Sequence, residues 1–408
     1  MEILRNVLGE VMKPVLRKVA EGLQSPILLK VVYTSTQFAF IFRAPSTSTL
    51  QIYDGDGTLT AVAGNNNSNV THTTSYATPG TYYFYVEGDY LDLTYILIKD
   101  YDNIYGSIDR WGELVNVALL LFRNCINITG NVAVIKDLVS LTNLQLYNTA
   151  ISGDASELYT LVNLTSLQLQ DSDVTFDHVQ TFANTGMIFL YDCNWSTAMV
   201  DNMVNSFQAV TGGKIVIDGN NAKRSAALDA ALLIIAQNNL YITLNETAPI
   251  GTLGVELHTD ANAASDPNAN EANATTGWSQ TGLTTGANEF VSQAVIKSTG
   301  TYALKANANP NPVANCKCSI SFPTVAAHFY RSTIDLRHIG VGGLWYVQIG
   351  GVGNQSSKPN NERIEFTETV TYYVATGVSC EFVFIEGSAS NDGGLYIDNM
   401  SFREVTFV

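Results

Sequence analysis

Apolar and polar residues repeat along this chain with three different periods. Between residues 2 and 24 the apolar positions Ile3, Leu4, Val7, Leu8, Val11, Met12, Val15, Leu16 and Val19 recur at helical spacing, with Glu2, Arg5, Glu10, Lys13, Arg17 and Lys18 between them. The spacing predicts an amphipathic helix whose apolar stripe needs a surface to cover it. Pro14 should bend or break that helix, and Gly22 with Pro26 should end it. From residue 27 the period falls to two, which predicts strands at 27–34, 37–43, 49–53, 69–74 and 81–87 and hence a small β-sandwich.

The third period is long. Leu138, Leu141, Leu144, Leu146 and Asn148 map onto Leu161, Leu164, Leu167, Leu169 and Asp171 at an offset of 23 residues. An offset of 24 finds Leu114, Val117, Leu120, Phe122 and Asn124, and a second one finds Tyr90, Leu93, Ile96, Ile98 and Asp100. Looser copies follow at Ile188/Leu190, Ile215/Ile217 and Ile242/Leu244. A unit of this length is one strand plus a return segment, and it buries its apolar face only by stacking on its neighbours. The Asn or Asp after each strand can bond backbone where the chain turns away. About six or seven rungs are expected over residues 101–248. The pattern resembles leucine-rich-repeat proteins, which implies ligand contact along the strand face or its edges.

Thr247–Thr252 reads as a linker, because Pro249 and Gly251 sit together without periodicity. Beyond it, short strands alternate with Gly- and Asn-rich turns, which suits a jelly roll over residues 249–408. The expected architecture is therefore mainly β and multidomain. It runs as an anchoring helix (1–25), a β-sandwich (26–100), a repeat solenoid (101–248) and a C-terminal jelly roll.

Two further resemblances add to this reading. Tyr53-Asp54-Gly55-Asp56-Gly57, His72, Tyr76 and Pro79-Gly80-Thr81-Tyr82 resemble a PKD-type domain, although Tyr53-Asp54 stands where that family carries Trp. The likeness implies a spacer or adhesion module. Thr276-Gly277-Trp278, Gly300-Thr301-Tyr302-Ala303-Leu304-Lys305 and Tyr396-Ile397-Asp398-Asn399-Met400-Ser401-Phe402 resemble jelly-roll carbohydrate-binding modules. That family implies a structural calcium, for which Asp398 with Asp260, Glu271 and Asn273 are the candidate oxygen ligands. It also implies sugar contact, for which the candidates are Trp345, Tyr346, Tyr372 and Tyr373. Adjacent strand residues point to opposite faces, so only one of each pair can reach a groove.

Composition narrows the function. A formal charge of −16 gives no electrostatic footprint for nucleic acid and none for an anionic membrane. The five cysteines match no disulfide framework or zinc spacing, which predicts reduced, buried thiols. No secretion-signal pattern and no run of about 18 apolar residues is found, so no membrane insertion is expected. The five histidines fall in different segments, and no nucleophile elbow, zinc-protease helix or phosphate loop occurs, so no enzyme activity and no cofactor beyond calcium is expected.

Together these features resemble a bacteriophage fibre or receptor-binding virion protein. That resemblance implies assembly in the host cytoplasm, attachment to other virion proteins through residues 1–25, and a homo-oligomer, with a trimer expected. Distal modules would meet a glycan or protein on the host surface. A purely structural tail or capsid decoration protein, or a bacterial cell-surface adhesin, are the alternatives.

Overall fold

The structure is a computed structural model of the 408-residue chain. It describes residues 27–33, 37–183, 186–238, 240–246, 252–256, 278–281, 289–293, 303–308, 317–340, 345–349, 367–375, 379–386 and 393–406. The expected anchoring helix lies outside these residues. Compactness divides the chain into Met1–Asn194 and Trp195–Val408, so the division falls inside the repeat rather than at residues 100 and 248.

The first unit begins with six antiparallel strands: β1 (Leu28–Tyr33), β2 (Phe38–Arg43), β3 (Thr49–Tyr53), β4 (Leu59–Ala63), β5 (Val70–Thr74) and β6 (Gly80–Gly88). Alternation drives them together. Phe38, Phe40, Phe42, Phe84 and Val86 point inward and are fully buried, and Phe38 meets Phe84 edge-on at 5.0 Å.

The chain then coils. One parallel ladder holds β7 (Tyr95–Lys99), β9 (Leu119–Arg123), β11 (Asn143–Gln145), β13 (Ser166–Gln168) and β15 (Met187–Phe189). A second holds β8 (Ile104–Ser107), β10 (Cys125–Asn131), β12 (Thr149–Asp154) and β14 (Asp173–Thr175). The long period is the register of the first ladder: Ile96, Leu120, Leu144, Leu167 and Ile188 stand in one row, all fully buried.

The corners explain the polar residue in each repeat. Asp100, Asn124, Asn148, Asp171 and Asp192 take positive φ of 50–63°, a region that Asn and Asp tolerate better than other side-chain-bearing residues. Each of the first four donates its backbone amide to the next rung, as Asn148 does to Gln170 O at 2.9 Å. The return segment is more ordered than a single-strand rung implies. It carries the second strand and then a short 3₁₀ turn, capped at Asn131 and Asp154 by side-chain acceptors for Ala133 N and Ser156 N.

Sandwich and coil share both sheets. β2 pairs with β7, and β1 pairs with β8, in each case antiparallel. An antiparallel strand thus covers the first edge of each parallel ladder, which would otherwise expose unpaired backbone groups.

The second unit opens with α1 (Thr197–Ser206), β16 (Gly213–Val216), α2 (Asp229–Gln237) and β17 (Leu240–Leu244). Ser196 caps α1 by accepting from Met199 N at 3.4 Å. Ten strands follow: β18 (Thr252–Glu256), β19 (Trp278–Thr281), β20 (Glu289–Gln293), β21 (Ala303–Ala308), β22 (Lys317–Pro323), β23 (Phe329–Gly340), β24 (Trp345–Ile349), β25 (Thr367–Val374), β26 (Ser379–Glu386) and β27 (Gly393–Thr406). They form two sandwich-like sheets. One runs β20-β21-β27-β23-β25-β17-β16, with β18 also on β27, and the other runs β19-β22-β26-β24. Phe322 and Phe402 stack between the two at 4.4 Å.

The expected linker does not separate two bodies. Ile242, Thr243 and Leu244 of β17 pair with Tyr372, Thr371 and Val370 of β25. Strands on either side of residues 247–251 therefore belong to one sheet.

Candidate functional site

The solvent-facing side of the eight-stranded sheet β14-β12-β10-β8-β1-β6-β3-β4 carries the most distinctive chemistry among the described residues. Alternation sets it up. In β6, Phe84 and Val86 enter the core, so Tyr83 and Tyr85 emerge on the opposite side. In β3, Leu50 and Ile52 are buried, which sends Gln51 and Tyr53 outward. In β1, Leu29 and Val31 are buried and Lys30 is outward, and in β8 Ile104 is buried and Tyr105 exposed.

Register collects these side chains. Tyr53 stands opposite Tyr85, and the rings stack at 4.3 Å with an interplanar angle of 8°. Tyr83, Lys30, Tyr105 and Asn127 form a second row across β6, β1, β8 and β10. The Lys30 ammonium lies 4.8 Å from the centre of the Tyr105 ring, within cation–π range. Gln51 and Glu87 are register partners beside the stacked pair. Next to Tyr83 the chain passes through Gly55, at φ +86°, where a Cβ would lie 2.4 Å from the Tyr83 nitrogen. A side chain cannot be built there without moving the strand.

Burial, with Tyr53 and Glu87 beside it, pushes the Tyr85 hydroxyl up to about 12. That hydroxyl is buried without a hydrogen-bond partner. Such a group costs about 1–3 kcal/mol unless something pairs with it. The face therefore offers aromatic rings, one ammonium, one carboxylate and two amides. This set suits a neutral polar ligand better than a charged one.

The residues singled out in the sequence fall elsewhere. Tyr372 and Tyr373 are core residues, at 0% and 1% exposure. Tyr372 donates its hydroxyl to Glu246 and stacks on Phe329 at 5.5 Å, while Tyr373 stacks on Tyr330 at 5.9 Å. Neither presents a ring to an external sugar. Both members of this pair are buried because β25 is covered on both faces, by Phe329 and Glu246 at Tyr372 and by Tyr241, Tyr330 and Phe402 at Tyr373. Trp345 and Tyr346 are in β24, opposite Glu386 and Ile385, on a different sheet from Tyr372.

Asp398 stands opposite Asp335 in β27, whereas Asp260, Glu271 and Asn273 lie outside the described residues. Among the described residues no group of three or more His, Cys, Asp or Glu is placed to hold a metal ion. Asp54 and Asp56, which begin like a calcium loop, are engaged locally: Asp54 meets His72 Nε2 at 2.8 Å, and Asp56 accepts from Thr58 N at 2.8 Å. Ile3, Leu4, Val7, Leu8, Val11, Met12, Val15, Leu16 and Val19 are all outside the described residues. No helix among the described residues is long and apolar enough to cross a membrane.

The sequence signal for the tyrosine face lies in Tyr82-Tyr83-Phe84-Tyr85-Val86. Its alternation hides inside an unbroken apolar run, and only strand pairing reveals which rings meet Lys30 and Tyr105.

No family model and no curated protein matches this chain. Among solved structures, a plant ice-binding protein aligns with 32% of this chain and 42% of its own, at 22% identity and a TM-score of 0.26. A carbohydrate-binding module solved with beta-1,4-galactotriose aligns with 32% of this chain and 90% of its own, at 15% identity and a TM-score of 0.26. A xylan-binding domain from Paenibacillus barcinonensis aligns with 40% of this chain and 100% of its own, at 12% identity and a TM-score of 0.27. The chain thus spans under half the length of the ice-binding protein, and β-sandwich carbohydrate-binding modules recur among its structural neighbours. Likeness at these TM-scores identifies neither the fold nor the function of this chain.

Proposed function

We propose that this chain is a non-enzymatic surface-contact protein, a fibre or adhesin of a bacteriophage virion. In this reading the coil is a leucine-rich-repeat solenoid. A PKD-like sandwich leads it, and a jelly roll resembling carbohydrate-binding modules follows it, with Asp398 a candidate ligand for the structural calcium that this likeness implies. Residues 1–25 attach the chain to other virion proteins as a homo-oligomer, and exposed faces of the body meet the host.

The observation that carries the reading is the tyrosine–lysine face at Tyr53, Tyr83, Tyr85, Lys30 and Tyr105. Its rings lie on the outward side of a sheet whose opposite side is core, which suits a contact surface. Two further features support it. Register-locked rungs make a rigid support, and Cys125, Cys193 and Cys380 are buried thiols, which suits folding in a reducing compartment before release. Many copies on a particle would let individually weak contacts act through avidity.

The test is incorporation. Particles made with residues 26–408 in place of the full chain should lack this protein, while particles made with the full chain retain it. Equal incorporation of both would refute attachment through residues 1–25.

A further inference from the structure

We propose that the outer side of the eight-stranded sheet, at Tyr53, Tyr83, Tyr85, Lys30 and Tyr105, is a binding site for a neutral polysaccharide. This rests on the surface-contact reading above and names its ligand class. It also places sugar recognition in the first unit, away from the C-terminal residues that the sequence nominates.

Three observations support it. First, the side chains lie on four adjacent strands, with tyrosines on β3, β6 and β8 and Lys30 on β1 between them, so the face spans three inter-strand steps of about 4.8 Å. That is room for an extended chain of rings rather than a single small molecule. Tyrosine suits such a ligand, because its ring packs against C–H surfaces while its hydroxyl bonds to the ligand's own hydroxyls.

Second, the aromatic platform is held in place: Tyr85, 6% exposed, stacks on Tyr53, and Gly55 packs on the Tyr83 backbone, where a Cβ would lie 2.4 Å from its nitrogen.

Third, the charges favour a neutral chain. Lys30 is engaged over Tyr105, Glu87 lies two positions from Tyr85, and the chain as a whole carries −16. A polyanion would be repelled at long range. A peptide adding as a strand is disfavoured as well, because β1, β6 and β3 are interior to the sheet and have no free edge.

The experiment is affinity electrophoresis of the full chain through gels containing xylan, galactan, mannan or glucan. At least one polysaccharide should retard the wild-type chain. Tyr83→Ala and Tyr105→Ala should each weaken that retardation about tenfold or more. Val139→Thr, on an exposed turn of the same unit, should leave it unchanged. Tyr105 is exposed enough that its replacement should keep the fold, which near-ultraviolet circular dichroism checks.

No retardation of the wild-type chain by any of the four polysaccharides overturns the proposal. So does retardation that survives both tyrosine substitutions but disappears in Trp345→Ala or Tyr346→Ala, which moves the site to the second unit. Incorporation into particles is read without any sugar, so either result leaves the attachment reading to stand or fall by itself.

Discussion

Arg331 donates from Nε to Glu246 at 2.6 Å, across 85 residues of sequence. Arg224 Nη2 approaches the same carboxylate at 3.7 Å, and the Tyr372 hydroxyl donates to it. Glu246 and Arg224 have side chains only 3% and 4% exposed. One buried carboxylate therefore ties the segment after β17 to β23 and β25. Glu246→Ala should leave two guanidinium groups without it and destabilise the second unit by about 3–5 kcal/mol. Urea unfolding followed by tryptophan and tyrosine fluorescence measures this. A loss under about 1 kcal/mol would mean that water already screens the cluster.

The corner residues give a second expectation. Asn148 holds φ at +50° and donates from Nδ2 to Asn124 Oδ1 at 3.3 Å. Asn148→Ala should cost about 1–2 kcal/mol, because an alanine pays the left-handed penalty in full. Asn148→Gly should cost less, since glycine reaches that region freely. Thermal unfolding of the two variants side by side distinguishes them. Equal losses would point to the side-chain bond rather than the backbone angle.

Alkaline pH should weaken the fold. Burial pushes the Cys125 thiol up to about 11 and raises Cys193 further still. A thiol with a raised folded-state value favours folding fully below its unfolded value of about 8.5, and that contribution is lost as pH climbs through the folded value. Between pH 8.5 and 11 each such thiol should therefore cost about 1.4 kcal/mol per pH unit. Denaturation curves at pH 8 and pH 10.5 test the slope. Ellman's reagent at pH 8 should label neither residue until denaturant is added, and rapid labelling of the native chain would contradict their burial.

Gly153 makes a sharper case. Its φ is +98°, and a Cβ there would lie 2.1 Å from Asn131 Oδ1, the atom that caps the preceding 3₁₀ turn. Gly153→Ala should cost about 1–3 kcal/mol in strain and loosen that cap. Protection of the Ala133 amide in hydrogen exchange should fall in the variant, and unchanged protection would show that the cap tolerates the intrusion.

The inward half of the coil was legible in the sequence, because Leu120, Leu144 and Leu167 occupy the same place in successive repeats and each must be buried. The corner residues were legible for the same reason. The second ladder was not, since β10 and β12 have no repeated apolar signature beyond Ile128 and Ile151. The β17–β25 pairing was invisible too. Thr243 and Thr371 meet hydroxyl to hydroxyl at 3.0 Å across 128 residues, and nothing local marks either one. Pro249 and Gly251 describe only their own backbone, so a linker signal there could not show that the strands on either side join one sheet. The nominated Tyr372 and Tyr373 failed as surface residues on the same account: an adjacent aromatic pair looks half exposed until a strand is known to be covered on both sides.

Imaging intact virions by cryo-electron microscopy tests the central claim most directly. Density for this chain should project from the particle surface, with its N-terminal end in contact with another virion protein and the Tyr83–Tyr105 face open to solvent. Density in which that face is packed against neighbouring virion proteins, or particles that lack the chain altogether, would contradict it.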